Sequence, residues 1–264
     1  MLQPIRPSEL DRTWSRVPGP SNLKNWLAGC SRAIDALVYP TECPVCRAPS
    51  SPEVFCGACR EELVNASGAT CERCAMPVGP WANTSGGCGE CRGRSLGFDS
   101  AIALGSYQGP IRDLCLRLKH KTNAWLAPWL ADLLIESQVE VLSQLRDALV
   151  VPVPLHWRRE WTRGYNQADA LASTLASRLG LKLRRPLRRV VATPTLAQAG
   201  RVERAETMRN AFRARRFASL RGRTVLLVDD ILTTGATCGA AARALKRKGT
   251  DRVVVAVIGR AEGK

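Results

Sequence analysis

Two acids at the end of an apolar run, followed by a threonine-rich turn, are the residues of this chain best placed to do chemistry. Residues 224–237 read Thr-Val-Leu-Leu-Val-Asp-Asp-Ile-Leu-Thr-Thr-Gly-Ala-Thr. The run before the acids predicts a strand buried on both faces, and Asp229 and Asp230 stand at its carboxyl end, where open α/β sheets bind ligands. Gly235 permits a sharp turn there. The successive amides of Thr233, Thr234, Gly235, Ala236 and Thr237 then form an anion nest, backed by the positive end of a helix that starts near Ala236. The hydroxyls of Thr233, Thr234 and Thr237 add donors, which makes a cradle for one phosphate group. Asp229 and Asp230 repel that phosphate. They suit the hydroxyls of an attached ribose, or Mg2+ bridging ribose and pyrophosphate. The combination specifies a sugar phosphate, and the Gly-x4-Gly-Lys pattern of a Walker loop is absent. Two Asp capping a helix after a strand would explain one acid but not the whole string.

The second group is eight cysteines in four Cys-x-x-Cys pairs, at Cys43/Cys46, Cys56/Cys59, Cys71/Cys74 and Cys88/Cys91. Each pair places two thiolates on one metal, and two pairs complete a tetrahedral site. Eight cysteines therefore predict two structural zinc ions. The simplest arrangement joins the first two pairs and the last two, while an interleaved arrangement uses the same ligands. Iron–sulfur clusters are the competing reading, and a redox dithiol needs fewer pairs than these. Gly57, Gly87 and Gly89 lie within or beside the knuckles, where tight turns favour glycine. Cys30, Cys115 and Cys238 stand alone among apolar or small residues and read as packed thiols.

These groups need elements to hold them. The 264 residues are 45% hydrophobic, enough to bury at least one substantial core. No apolar run reaches the length of a membrane span and no signal peptide follows Met1, so a cytoplasmic protein is expected. The net charge of +16 is uneven: residues 151–223 hold 17 Arg or Lys against four Asp or Glu. A field of that sign attracts a phosphorylated metabolite or nucleic acid, the plain alternative being a solvated basic surface.

Residues 1–21 read as a disordered lead, and residues 22–38 as an amphipathic helix that packs on the following module. The segment up to residue 94 is too poor in large apolar side chains to fold without its metal staples. From residue 95 onward the pattern alternates. Strands are predicted at 98–107, 148–153, 224–228 and 252–258, and helices from Gly109 to Leu118, at 125–145, 166–179 and 236–248. Strands alternating with helices argue for a parallel α/β sheet over 95–264.

The string VLLVDDILTTGAT resembles the signature with which type I phosphoribosyltransferases bind phosphoribosyl pyrophosphate (PRPP). With the cysteine-rich module in front of it, the chain is similar to the ComF family, also called GntX-like proteins. Further matching stretches are Tyr107-Gln-Gly-Pro-Ile-Arg-Asp-Leu with Lys119, Val151-Pro-Val-Pro-Leu with Arg158, and Arg163-Gly-Tyr-Asn-Gln-Ala. Gln198 and the Arg-rich run to Asn210-Ala-Phe212 complete the resemblance, which covers about residues 23–260.

The resemblance implies a type I phosphoribosyltransferase fold, a parallel sheet flanked by helices with a hood over the site. It places the 5-phosphate at residues 233–237 and Asp229 and Asp230 at the ribose hydroxyls. Pyrophosphate would meet the loop at 154–159, with Arg158 and Arg163 as anion donors. Tyr165, Asn166 and Gln167 would face the sugar or a base, unless Asn166 instead caps the following helix. Catalysis in that fold displaces pyrophosphate from C1 of ribose, with Mg2+ and cationic groups neutralising the leaving group. His120 and His156 are the only histidines. His156, beside the loop, reads as a surface residue, and the acid pair is a further candidate base. ComF proteins are associated with uptake of transforming DNA, which implies single-stranded DNA and the DNA-uptake machinery as partners. The alternative is an active Mg2+-dependent phosphoribosyltransferase of nucleotide or base metabolism unrelated to DNA uptake.

Overall fold

The computed structural model describes residues 42–50, 53–191, 211–215 and 220–262, apart from the side chains of Arg158 and Arg159. The expected lead at 1–21, the helix at 22–38, Cys30 and the stretch from Gln198 to Asn210 lie outside the described residues. Backbone contacts divide the chain into two compact units, Met1–Cys56 and Gly57–Lys264. In the first, an isolated bridge between Glu42 and Pro49 closes a knuckle in which the Arg47 amide donates to the Cys43 carbonyl.

The second unit opens with a short helix, α1 (Gly57–Val64), and is built on parallel strands. β1 (Ser100–Ser106), β2 (Leu149–Pro152), β3 (Lys182–Leu183), β6 (Thr224–Val228) and β8 (Arg252–Arg260) run in the order β1-β8-β6-β2-β3, and β7 (Ile231–Leu232) pairs further along β8. Every pairing in this sheet is parallel. Its middle strands are unbroken apolar runs, as burial on both faces requires: every residue of β8 after Arg252 is buried. The separate pair β4 (Leu187–Arg189) and β5 (Phe212–Ala214) is antiparallel.

Because side chains alternate across a strand, the sheet has two distinct faces. Val151, Val225, Leu227, Val253, Val255 and Val257 share one cluster with Ala240, Ala241, Ala242 and Ala244 of α7 (Ala236–Lys246), with Phe212, and with Cys71, Cys74, Cys88 and Cys91. The last two cysteine knuckles thus enter the core of the α/β unit. The opposite side chains are covered by helices. α2 (Gly109–Leu118) packs on β1 and β8, α3 (Leu126–Ser137) receives α1 on one side, and α6 (Gln167–Leu179) packs on β2 and on α3. α6 begins at an Asn166 cap and ends at Gly180 in the left-handed conformation, φ 66°.

Three expectations change. The helix predicted over 125–145 is interrupted at Gln138, which leaves helical geometry (φ −125°, ψ 28°) and donates its side-chain amide to the Ala103 carbonyl at 3.2 Å. A shorter α4 (Val139–Ser143) follows it. The chain expected to be a loop over 154–159 turns helical at Trp157 and forms α5 (Trp157–Arg163); no Pro or Gly follows Pro154 until Gly164, so nothing stops the turn. His156, expected at the surface, is buried, with its ring 5.6 Å from that of Trp157. Among the described residues no helix is long and apolar enough to cross a membrane.

Candidate functional site

β6 and β7 follow one edge of β8 in a single register, and the acid pair occupies the gap between them. The Asp229 amide donates to the Ala256 carbonyl, and the Asp230 carbonyl accepts from the amides of Ile258 and Gly259, all at 3.1 Å. Both acids are therefore pinned to β8 by backbone bonds. Asp229 is half-buried as a residue with its carboxyl turned inward. Its Oδ1 accepts from the Asp230 amide at 2.9 Å and its Oδ2 from the Cys238 thiol at 3.7 Å. Burial first, and the Asp230 carboxylate second, push the Asp229 carboxyl well above the usual range. Cys238 and Cys115 are both buried, as expected of packed thiols, and burial pushes both thiols up.

Asp230 is buried, and its Oδ2 accepts from the Gln167 side-chain amide at 3.2 Å. Gln167 is 4% exposed, yet its Oε1 has no partner; the buried hydroxyl of Tyr165 has none either. Burial, with the Asp230 charge next, raises the Tyr165 hydroxyl to about 12. Buried polar atoms are normally paired, so two orphans beside a carboxylate are exceptions in this part of the structure. Asn166 is different. Its Oδ1 accepts from the Ala168 amide and its Nδ2 donates to the Val153 carbonyl, both at 3.1 Å, so its side chain caps α6 and ties it to the end of β2.

After β7 the chain opens into the loop 233–237. Thr233, Thr234 and Ala236 are exposed, Thr237 is half-buried, and Gly235 is the left-handed N-cap of α7 at φ 78°. A Cβ at Gly235 would meet Phe98 and Leu96 at ordinary contact distances, so conformation rather than space calls for glycine. The Thr234 hydroxyl accepts from the Ala236 amide at 3.4 Å. The amides of Thr234 and Gly235 donate to no acceptor among the described residues.

Two guanidinium groups grip this loop from behind. Arg260 Nη1 donates to the carbonyls of Thr233 at 2.7 Å and Leu232 at 3.0 Å, and Arg94 Nη2 to that of Thr234 at 3.4 Å. In a planar trans peptide the N–H points opposite to the C=O. Drawing the Thr233 and Thr234 carbonyls inward therefore turns the Thr234 and Gly235 amides outward, as an anion nest requires. Neither arginine was visible as a site residue in the sequence. The acids, the nest, Tyr165 and Gln167 are thus gathered at the carboxyl ends of β6 and β2. Arg163 is half-buried on α5 and bears electrostatically on Tyr165. The side chain of Arg158 lies outside the described residues.

The eight knuckle cysteines form two clusters, Cys43/Cys46/Cys56/Cys59 and Cys71/Cys74/Cys88/Cys91, the sequential rather than the interleaved arrangement. Within each, the sulfurs lie within 4.8 Å of one another. A tetrahedron of four sulfurs around zinc, with bonds of about 2.3 Å, has edges of about 3.8 Å. The observed separations match: 3.6 Å for Cys46–Cys56, 3.7 Å for Cys71–Cys91, 3.5 Å for Cys74–Cys88 and 3.9 Å for Cys88–Cys91. Burial pushes the Cys71 thiol up, but donors from Cys88, Cys74 and Arg73 outweigh it and bring it down to about 7. Burial pushes the thiols of Cys74 and Cys91 in the same cluster up, so the four-sulfur geometry rather than thiol acidity identifies the site. These are two structural zinc-binding sites of four cysteines each.

Comparison with known proteins agrees with this geometry. A double zinc ribbon domain matches residues 34–92, and a phosphoribosyl transferase domain matches residues 166–263. DNA utilization protein YhgH of Salmonella typhi is 32% identical over 231 residues, covering 83% of this chain and 96% of that protein. The chain belongs to the ComF family. Competence protein F of Haemophilus influenzae is 30% identical over 212 residues, 78% of this chain and 90% of its own. A shorter similarity, 54% over 39 residues, joins this ComF-family chain to adenine phosphoribosyltransferase of Mycobacterium marinum, covering 15% and 21% of the two chains.

Proposed function

We propose that this protein binds PRPP, or a ribose 5-phosphate group in another molecule, at the site formed by residues 229–237, and that it acts in DNA uptake during natural transformation. The observation that carries the first part is the pairing of outward-turned amides with an acid pair next to two orphaned buried polar atoms. The nest takes the phosphate. Asp230, bonded to the Gln167 side chain, would meet the ribose. The unpartnered Gln167 Oε1 and Tyr165 hydroxyl, closed to solvent in the free protein, would take its hydroxyls, which both donate and accept, once a ligand opens that position. Mg2+ takes one or two carboxylates and keeps several waters; Asp230 would hold it, and it would supply charge neutralisation for pyrophosphate. The Asp229 carboxyl, bonded to the Asp230 amide and the Cys238 thiol, is turned away from the ligand and contrary to expectation does not join the donor set. The chain's own contribution is then binding and orientation, with Arg163 adding positive charge on α5.

The DNA-uptake role rests on the printed names of the relatives, a DNA utilization protein and a competence protein. It is supported by a surface on α5. Trp157 is 61% exposed and Trp161 86%, and with Glu160, Gly164 and Tyr165 they line a cavity of about 550 Å3. Exposed aromatic rings interleaved with arginines suit unpaired bases and their phosphates. Single-stranded DNA, and through it the uptake machinery, are the partners this reading assigns. A second reading, an active transferase of base metabolism, is favoured by the short similarity to adenine phosphoribosyltransferase. Calorimetry with PRPP and Mg2+, repeated with single-stranded DNA as competitor, tests both. Binding of PRPP is expected; no heat with PRPP or ribose 5-phosphate would overturn the assigned site. Turnover of PRPP with a free nucleobase would favour the second reading.

A further inference from the structure

The two arginines that grip the nest also hold the second zinc ribbon. Arg260, the last residue of β8, is 5% exposed. Its Nε donates to the Cys74 carbonyl, inside a zinc knuckle, at 2.7 Å, while its Nη1 reaches the carbonyls of Leu232, Thr233 and Ala261. No ion pair among the described residues involves it, so backbone carbonyls alone receive this buried charge. Arg94 repeats the arrangement at the edge: Nη1 donates to the Glu90 carbonyl in the last knuckle at 2.8 Å, and Nη2 to Thr234. A third guanidinium, that of Arg73, braces the same knuckle through the carbonyls of Cys91 and Arg94 at 3.1 Å.

We propose that Arg260 and Arg94 are positioning residues for the phosphate nest, and that the second four-cysteine cluster is the anchor they pull against. Metal at Cys71, Cys74, Cys88 and Cys91 fixes the carbonyls of Cys74 and Glu90. The two guanidinium forks carry that fixity to the carbonyls of Thr233 and Thr234, and planar peptides pass it to the amides of Thr234 and Gly235. Arginine is needed because its fork bonds two chain segments at once, which the single ammonium of lysine does not do with the same reach. The ribbon is then part of the sugar-phosphate site rather than a separate appendage. Zinc at the second cluster and a sugar phosphate at the nest must bind with positive coupling, and such coupling is reciprocal.

The reciprocal effect distinguishes this role from simple stabilisation, and it rests on the reading that the nest binds ribose 5-phosphate. In the full zinc-loaded chain, saturating ribose 5-phosphate is expected to slow release of one of the two zinc ions to a chromophoric chelator by about tenfold, within the usual range of coupling between sites. Arg260→Lys is expected to keep two zinc ions, weaken ribose 5-phosphate by a similar factor and abolish the slowing. Ligand binding that leaves both zinc release rates unchanged overturns the proposal, as does an Arg260→Lys protein that behaves like wild type. Should Arg260→Lys fail to fold, the exposed Arg94→Gln is expected to show the same losses in smaller measure, and wild-type behaviour there overturns the coupling. If the wild-type chain binds no ribose 5-phosphate, the functional reading fails on its own. The coupling is then decided by amide resonances: chelation of zinc should broaden those of Thr234 and Gly235, and unchanged resonances refute it.

Discussion

Replacing Gly239 by alanine should destabilise the protein, although helix propensity alone argues the reverse. Gly239 lies within α7, the helix that starts at the nest. An exposed Gly→Ala change inside a helix stabilises by about 1 kcal/mol. At this position a Cβ would lie 2.1 Å from the Leu96 carbonyl oxygen, where real Cβ atoms essentially never come within 3.0 Å. The obstacle is backbone, and it is held. Gly97, at φ 86°, is itself so close that its own Cβ would meet the Gly239 carbonyl oxygen at 2.6 Å. To accept the methyl, the segment leading from the last knuckle into β1 must back away from α7 by about an ångström. Overpacking of this kind costs about 1–3 kcal/mol, occasionally more, so after the propensity gain a net loss of up to about 2 kcal/mol is expected, toward the upper end because the obstacle is backbone. For a chain of this size that lowers the thermal midpoint by up to about 8 °C. Calorimetric melting of zinc-loaded wild type and Gly239→Ala measures it, with Gly89→Ala, where a Cβ meets nothing within 4 Å, as the comparison. A Gly239→Ala protein more stable than wild type would refute the close crossing of linker and helix.

The raised Asp229 carboxyl has a pH signature. The folded state holds its proton more tightly than the unfolded chain does, so stability is fully present below the unfolded Asp pKa and is lost as pH rises through the folded value. Asp229→Asn removes that loss, so its gain in urea midpoint over wild type should grow from acid towards neutral pH; a pH-independent difference would contradict the burial. Metal analysis should find about two zinc ions per chain, as eight thiolates in two four-cysteine sites require; iron, or no metal in a folded sample, would be inconsistent. The double change Trp157→Ala, Trp161→Ala touches exposed side chains and should alter stability by no more than about 0.5 kcal/mol each. It should weaken single-stranded DNA by about 1–3 kcal/mol per lost stacking contact while leaving PRPP binding unchanged, and anisotropy with a short oligonucleotide reads the difference. Undiminished DNA binding would remove α5 from the DNA surface.

What the sequence made legible was local. The β6–nest–α7 segment could be read because a buried strand, two acids, a glycine turn and a helix start are written in consecutive residues. The cysteine spacing likewise announced two metal sites, with their pairing left for the structure to settle. Features that depend on distant segments meeting were not legible. Arg260 is one arginine among many near the end of the chain, and its role exists only because β8 brings it between Cys74 and Thr233. Gln138 breaks a helix by reaching a carbonyl 35 residues away, in β1. The antiparallel pairing of Leu187 with Ala214 joins short segments with no alternating pattern of their own. His156 lies in a polar, arginine-rich stretch that suggests a surface, and burial there follows from the turn into α5.

Residues 229–237 should bind a sugar phosphate, which titration calorimetry of PRPP with Mg2+ into the zinc-loaded chain measures. Wild type should bind, and ribose 5-phosphate should compete for the same site. Asp230→Asn should retain its zinc and its cooperative melting yet bind PRPP at least about tenfold more weakly, a loss of about 1.4 kcal/mol. Undiminished binding by Asp230→Asn, or no binding of either ligand by wild type, would mean that residues 229–237 are not a sugar-phosphate site.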